Sequence, residues 1–195
     1  MSYYAWASLF CAHMKMPKYI FLLGILWFTI PVHAQAPSET WKLFPLGNPA
    51  LNINLPGDAI PMETPVSVEE INRIQRFDTY RLYHAEGKVV AVLKFMQYNA
   101  PIEEPAIALM DTELTHIMKS IKAEEILSTG KNIKVKQVPG YKLAGRFMLK
   151  QQPWLFQDFL LKKEGSMWQV WIAAEDSDPD YEKTMVKIAK SMQFK

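Results

Sequence analysis

Residues 141–174 form the most continuously apolar and aromatic stretch outside the N-terminal region of the chain. They read YKLAGRFMLK, WLFQDFLLKK and MWQVWIAA, separated by the triplets QQP and EGS. Apolar and aromatic runs bounded by Pro or Gly are typical of β-strands joined by short turns. The stretch therefore predicts three antiparallel strands that contribute three of the six tryptophans, Trp154, Trp168 and Trp171, to a core.

The N-terminal residues have the pattern of a secretory signal peptide. Lys15 and Lys18 supply positive charge, and residues 19–30 are an uncharged apolar run of twelve. That run is shorter than the roughly 20 residues that span a bilayer. A small residue at Ala34 suits the position before a cleavage site. We expect cleavage between Ala34 and Gln35, with Ala36 as the alternative site and an uncleaved anchor helix as the alternative reading.

This reading divides the chain into a leader, residues 1–34, and one domain, residues 35–195. Met14 or Met16 would be a more ordinary start for such a leader than Met1. Cys11, the single cysteine, lies ahead of the signal, so the mature chain has no disulfide and no thiolate metal site. We expect a periplasmic or secreted protein with no membrane span after cleavage.

Charge argues against several classes of partner. Of the 22 basic residues, Lys15 and Lys18 lie in the leader, and the remaining 20 balance the 20 acidic residues. Nucleic-acid binding requires a surplus of Lys and Arg on one face, so nucleic acid is not an expected partner. The balance also offers no polybasic segment for anionic lipid.

The rest of the domain predicts strands interleaved with two helices. Alternation predicts a strand at Leu51–Leu55 and a hairpin of Phe77–His84 with Val89–Tyr98, whose second strand is apolar on both faces and hence central. Helical spacing predicts one helix from Pro105 to about Ala123 and another after Asp178. Residues 67–75 fit either a capped helix or a strand, with extended structure favoured from about Ile74.

Glycines and prolines in the middle of the domain predict two turns. A turn at Gly130–Asn132 would join strands Glu125–Thr129 and Ile133–Val138. A second turn at Pro139–Gly140 would lead into the first aromatic strand.

The order of these elements carries a family resemblance, which rests on short motifs: Trp41-x-x-Phe44, Leu55–Gly57, Val138–Gly140 and the closing Ser191–Phe194. Over most of residues 35–195 the chain resembles the Mog1/PsbP-like group, which includes small secreted bacterial proteins. The resemblance implies an α+β fold, an αβα sandwich whose central antiparallel sheet of about six or seven strands is flanked by two main helices. It also implies binding or assembly rather than catalysis, and it carries over no functional residue.

Catalytic motifs are missing from the sequence. It contains no nucleophile elbow, zinc-protease helix, phosphate loop or dinucleotide fingerprint. The mature histidines, His84 and His116, are distant in sequence and make a poor zinc or catalytic set without cysteine. The acidic run at residues 175–180 has the spacing of a calcium loop but lacks its glycine and its bidentate glutamate. We expect Asp178 to cap the final helix.

Binding residues are the remaining question. Trp154 follows a predicted turn at Gln151–Pro153, so we expect it to be half exposed and, with Tyr141, to mark a binding rim. Helical methionines are expected in the core, not as copper ligands. The first hypothesis is an exported, non-catalytic module without cofactor or metal, which binds another exported protein or a small ligand. The alternatives are a small hydrolase using Asp or Glu with His84 or His116, and an inhibitor of an exported enzyme.

Overall fold

The computed structural model describes residues 40–63 and 72–194 and consists of two antiparallel sheets and two helices. The helices are α1 (Ala106–Ile121) and α2 (Pro179–Lys190). The strands are β1 (Lys42–Leu46), β2 (Leu51–Leu55), β3 (Ile60–Pro61), β4 (Ile74–His84), β5 (Val89–Tyr98), β6 (Glu124–Val135), β7 (Val138–Leu149), β8 (Gln152–Lys163), β9 (Ser166–Glu175) and β10 (Gln193–Phe194).

The larger sheet has seven strands in the order β3-β4-β5-β9-β8-β7-β6, and each described pairing is antiparallel. The hairpin β4–β5 and the meander β6–β7–β8–β9 meet where β5 pairs with β9. The predicted central sheet of about six or seven strands is therefore confirmed. The three consecutive strands β7, β8 and β9 cover residues 141–174, as the aromatic pattern of that stretch indicated.

A second sheet of three strands was not anticipated. Its order is β1-β2-β10, so the predicted strand Leu51–Leu55 lies at its centre. The closing residues pair with it through Phe194 opposite Leu51. Trp168 of the larger sheet donates its indole N–H to the carbonyl oxygen of Leu46 at 3.1 Å, which links the two sheets.

The larger sheet buries apolar residues on both faces, each beneath one helix. Along β9, Trp168, Val170 and Ile172 belong to a core that also holds Met185 and Ile188 of α2, here called the α2 core. The alternate residues of β9, Met167, Trp171 and Ala173, join Met110, Leu114 and Met118 of α1 in the α1 core. Because side chains of a strand alternate between faces, β9 is buried on both sides. The αβα arrangement is thus confirmed.

Both predicted helices form where their end signals lie. Pro105 precedes α1, and Lys122 ends it in the left-handed conformation with φ 57°. Asp178 caps α2, where its side chain accepts a hydrogen bond from the backbone N–H of Asp180 at 2.9 Å. The acidic run thus begins a helix, as the capping interpretation predicted.

The hairpin of β4 and β5 is confirmed, whereas the predicted hairpin after α1 is wrong. No turn interrupts residues 130–132, because β6 runs unbroken to Val135. The turn lies at Lys136–Gln137 instead. Pro139 and Gly140, predicted as a second turn, lie inside β7.

Close packing explains these glycines. The ring of Tyr141 lies where a side chain at position 130 would point, so Gly130 makes room for it. Gly140 is likewise backed by the carbonyl of Leu160 on β8. Proline has no backbone N–H to donate. Pro139 is tolerated because the pairing of β7 with β8 begins only at Gly140, so no hydrogen bond between these strands is lost.

Several predictions concern residues outside the described ranges. The leader, the cleavage site at Ala34 and Gln35, and the start at Met14 or Met16 all lie there and stay predictions. Residues 64–71 also lie outside, so the ambiguity over residues 67–75 is tested only at its end. There the expected extended structure is confirmed, since β4 begins at Ile74.

Candidate functional site

Trp154 does not occupy the exposed position expected of it. The turn before it consists of Lys150 and Gln151, with φ of 51° and 64°, and β8 begins at Gln152. Trp154 therefore lies within the strand, 9% exposed, and stacks on Phe147 with ring centroids 6.2 Å apart. The expected half exposure is wrong because the turn ends before Trp154. A binding role for this residue stays a prediction that has lost its structural motivation.

Tyr141, the other predicted rim residue, lies near the edge of the sheet. It pairs with Asn132 of β6, is half buried and packs its ring over Gly130. Trp154 pairs with Phe147, six residues farther along β7. At about 3.4 Å per residue that separation is about 20 Å. The structure thus does not bring Trp154 and Tyr141 into one site.

The edge beside Tyr141 is the most exposed part of the larger sheet. β6 is the terminal strand, and ten of its twelve residues are exposed. Ile126 and Leu127 are 42% and 57% exposed, although both are large apolar side chains. The opposite edge, β3, has two residues. Since a terminal strand presents unpaired N–H and C=O groups, β6 provides a long open edge in the described part of the chain.

The geometry of the β6–β7 hairpin identifies which backbone groups point outward. Val135 and Val138 flank a two-residue turn, so they form a hydrogen-bonded pair. In an antiparallel ladder such pairs alternate with pairs that bond away from each other. The outward-facing backbone groups therefore belong to a set of alternate residues, Ser128, Gly130, Asn132 and Lys134.

The regular part of this edge ends at a bulge. Glu125 has φ 49°, and the register with β7 shifts between Glu124 and Leu127. Bulges bend and twist an edge and so limit pairing with another chain. The segment that remains regular, residues 127–135, is nine residues long and suits an added strand of ordinary length.

A second polar feature lies under α1 and was missed in the sequence. Asp158 of β8 is fully buried and accepts hydrogen bonds from the side-chain amide of Gln169 on β9, at 3.0 and 3.3 Å. Gln169 pairs in register with Lys94 of β5, which forms an ion pair with Glu113 of α1. The sequence did contain a sign of this cluster, because Lys94, Asp158 and Gln169 each interrupt an otherwise apolar face of their strand.

Burial governs the chemistry of this cluster. It raises the pKa of Asp158 to about 7, against the opposing effects of the Gln169 hydrogen bond and the Lys94 charge. Gln169 Oε1 and Trp171 Nε1 are buried without a hydrogen-bond partner among the described residues. Asp158 is a carboxyl group of the type used in acid–base catalysis, but its complete burial leaves no surface for a substrate to contact.

The hydrolase alternative would require a histidine beside such a carboxyl group. His116 is exposed on α1. His84 ends β4 opposite Val89, which belongs to the α2 core on the other face of the sheet. The sheet therefore separates the two histidines. Among the described residues, no group of three His, Cys, Asp or Glu side chains could hold a metal ion.

In the part of the chain that the structure describes, neither helix is long and apolar enough to cross a membrane.

Comparison with family models gave no match, and comparison with curated proteins also gave none. Solved structures do match. The PsbP protein CyanoP from Synechocystis sp. PCC 6803 aligns with a TM-score of 0.55 and 8% identity, over 83% of this chain and 96% of that one.

Two further solved structures align less closely. A protein of unknown function and putative regulator from Pseudomonas aeruginosa, PA94, aligns at TM-score 0.40 and 9% identity, over 77% of this chain and 94% of that one. LpqN, involved in cell envelope biogenesis of Mycobacterium tuberculosis, aligns at a TM-score of 0.38 and 12% identity, over 80% of this chain and 79% of that one. At identities this low the likeness is one of fold alone. The chain has a PsbP/Mog1-like fold, as the order of its elements predicted.

Proposed function

We propose that this chain is an exported, non-catalytic binding module and that its binding surface is the open edge of β6. A partner protein would add an extended segment to the larger sheet, antiparallel to β6. The observation that carries the proposal is the exposure of β6, in which ten of twelve residues of a terminal strand are exposed. Addition of a strand to such an edge is a recurring mode of peptide recognition.

The outward backbone groups support an extended occupant. They recur at every second residue from Ser128 to Lys134, which matches the hydrogen-bonding period of a strand. The exposed side chains of Ile126 and Leu127 offer apolar contact at the end of the same edge. Main-chain hydrogen bonds would then supply affinity, and alternate side chains would supply specificity.

The absence of catalysis in this proposal has separate support. The carboxyl group with the raised pKa, Asp158, is enclosed in the α1 core, and His84 and His116 lie on opposite sides of the sheet. A PsbP-like fold by itself decides nothing about activity. Export rests on the signal-peptide pattern of residues 1–34, with cleavage between Ala34 and Gln35 as the proposed processing step.

Proline substitution of Asn132 tests the edge directly. Asn132→Pro removes one outward N–H while leaving the bonds to β7, which come from its neighbours. Loss of one backbone hydrogen bond weakens binding by about two- to tenfold, and the ring obstructs the approach of an added strand. Asn132→Ala removes the same side chain but keeps the N–H, so it should weaken binding less than proline.

The measurement is affinity capture from the exported-protein fraction, with the two variants and the unmodified chain compared side by side. The proposal predicts a partner that the unmodified chain and Asn132→Ala retain and that Asn132→Pro loses. Circular dichroism confirms that both variants are folded. Equal retention by Asn132→Pro would refute binding at this edge.

A further inference from the structure

A group of cations without acidic partners lies beside the β6 edge. Lys131 of β6 is directly opposite Lys142 of β7, and Arg146 lies four residues along β7 from Lys142. Since residues two or four apart on a strand share a face, the three side chains lie on one face of the sheet. We call this set, Lys131, Lys142 and Arg146, the cationic face.

The cationic face lies on the α2 side of the sheet but away from α2. The ammonium group of Lys142 is 4.9 Å from the ring centroid of Phe159, a residue of the α2 core. The helix itself packs on β9, β5 and β8 of this sheet, nearer the centre. Lys131 and Arg146 are accordingly exposed, and Lys142 is half buried. Lys131 and Arg146 therefore remain accessible to a molecule placed beside β6.

These cations lack compensation within the described chain. None of the ion pairs among the described residues includes Lys131, Lys142 or Arg146. Lys142 donates to the neutral amide oxygen of Gln157 at 2.8 Å. Its pKa is lowered, first by burial and then by the charge of Lys131. Like charges directly opposite on neighbouring strands are destabilising, so an anion here would relieve an existing cost.

We propose that the segment added to β6 is acidic, with carboxylates at alternate positions that face Lys131 and Arg146. This inference rests on the proposed function, because an added strand is what brings those side chains to the cationic face. A side chain opposite Lys131 on the new strand would have its Cβ about 5 Å from that of Lys131. Arg146 of β7 lies one strand farther, within reach of a long acidic side chain such as glutamate, whereas the ammonium group of Lys142 is directed at Gln157 and Phe159 of β8.

The same geometry disfavours a second copy of this chain as the occupant. Antiparallel pairing of two β6 strands requires a two-fold axis perpendicular to the sheet, which puts both cationic faces on the same side. Lys131 of one copy would then lie close to Lys131 of the other, with Lys142 and Arg146 behind each. Such an arrangement adds like-charge repulsion instead of relieving it.

Synthetic peptides provide the test. The probe is a fluorescent peptide of about ten residues that alternates glutamate with valine or threonine, long enough to span β6. A second peptide carries lysine in place of glutamate. Anisotropy should show binding of the acidic peptide and not of the basic one, and added salt should weaken it.

Two matched variants locate the charge contribution. Lys131→Gln and Arg146→Gln should each weaken binding of the acidic peptide by about two- to fivefold, the usual effect of an exposed ion pair. Lys119→Gln removes the same charge from an exposed lysine of α1, on the opposite face of the sheet, and should leave binding as it is. Equal affinities of all three variants for the acidic peptide would overturn the inference.

The remaining outcomes separate the two proposals. If Asn132→Pro weakens binding of the acidic peptide while the charge variants do not, strand addition stands and the proposed acidic specificity is wrong. If Asn132→Pro binds as tightly as the unmodified chain, strand addition itself is wrong. If phosphatidylglycerol vesicles displace the acidic peptide, and still bind the Asn132→Pro variant, the cationic face would be assigned to an anionic membrane. A concentration-dependent dimer lost in Asn132→Pro would assign the edge to a second copy.

Discussion

Replacing Asp158 by asparagine should remove a large part of the pH dependence of stability. Asp158 is fully buried between the sheet and α1, and its carboxylate accepts hydrogen bonds from Gln169. Burial raises its pKa to about 7 from the ordinary 3.8, with Glu113 adding a smaller effect in the same direction. Lys94 and Gln169 oppose that shift. Asparagine has nearly the same shape and does not titrate, so the substitution isolates the charge.

The sign follows from the direction of the shift. Asp158 binds its proton more tightly in the folded chain than in the unfolded one, so folding is favoured most at pH below the ordinary pKa. As pH rises from about 4 to about 7, the unfolded chain loses this proton first, and the stabilisation decreases. At about 1.4 kcal/mol for each tenfold difference in proton affinity, the decrease amounts to about 4 kcal/mol and is complete above pH 7.

Urea unfolding followed by tryptophan fluorescence measures this effect. The free energies of unfolding of the unmodified chain and Asp158→Asn are compared at about pH 4 and about pH 8. The difference should change by about 4 kcal/mol in favour of Asp158→Asn on going to the higher pH. Asp176→Asn, at an exposed position, provides the control. Parallel pH profiles for the unmodified chain and Asp158→Asn would refute the assignment of a buried, titrating carboxyl group.

Three further predictions concern the core, one helix end and one ion pair. Trp154→Ala should lower the free energy of urea unfolding by about 3–5 kcal/mol, because the side chain is a core residue; a change below 1 kcal/mol would contradict that placement. Asp178→Ala should cost about 1 kcal/mol in thermal unfolding through loss of the cap of α2, and an unchanged midpoint would contradict the capping role. The pKa of Glu175 is held below its ordinary value by hydrogen bonds from Lys88 and Ser177, so the stability it contributes is lost as pH falls through that pKa. Lys88→Met should raise the pKa, measured by carboxyl NMR titration, and an unmoved titration would contradict the pairing.

The alternating strands were the most predictable part of the fold. In β5, Val89, Ala91 and Leu93 point into the α2 core, while Met96 points into the α1 core. A strand apolar on both faces has few stable positions other than the interior of a covered sheet. The sequence pattern and the long-range packing therefore demand the same structure in this strand, and the prediction from local pattern is correct.

The glycine and proline signals misled where packing between strands decided the structure. Gly130 fits a turn by local propensity. In the structure, however, the ring of Tyr141, eleven residues later, fills the space that a side chain at position 130 would need. Gly140 lets β8 come close, because a side chain there would collide with the backbone carbonyl of Leu160, about twenty residues later. Local sequence carries no information about which distant residue approaches a glycine, so turn and close approach look alike before the strands are paired.

The polar features that bear on function were harder still to find. Asp158, Gln169 and Lys94 come from three strands, and each looks like an isolated interruption of an apolar run. The cationic face has the same origin, since Lys131 and Lys142 become neighbours only through the register of the β6–β7 hairpin. Because the predicted turn at Gly130–Asn132 implied a different register, the juxtaposition was inaccessible to sequence reasoning. Trp154 was singled out instead because it stood next to a predicted turn.

Amide hydrogen exchange of β6, measured by NMR with and without the acidic peptide, tests the central claim most directly. The amides of Ser128, Gly130, Asn132 and Lys134 point away from β7 and should exchange rapidly in the free chain. Addition of an acidic strand should slow exchange at these alternate positions, while the intervening amides, already bonded to β7, change little. Protection that appears elsewhere, for example along the lysines of α2, with β6 unaffected, would contradict binding by strand addition.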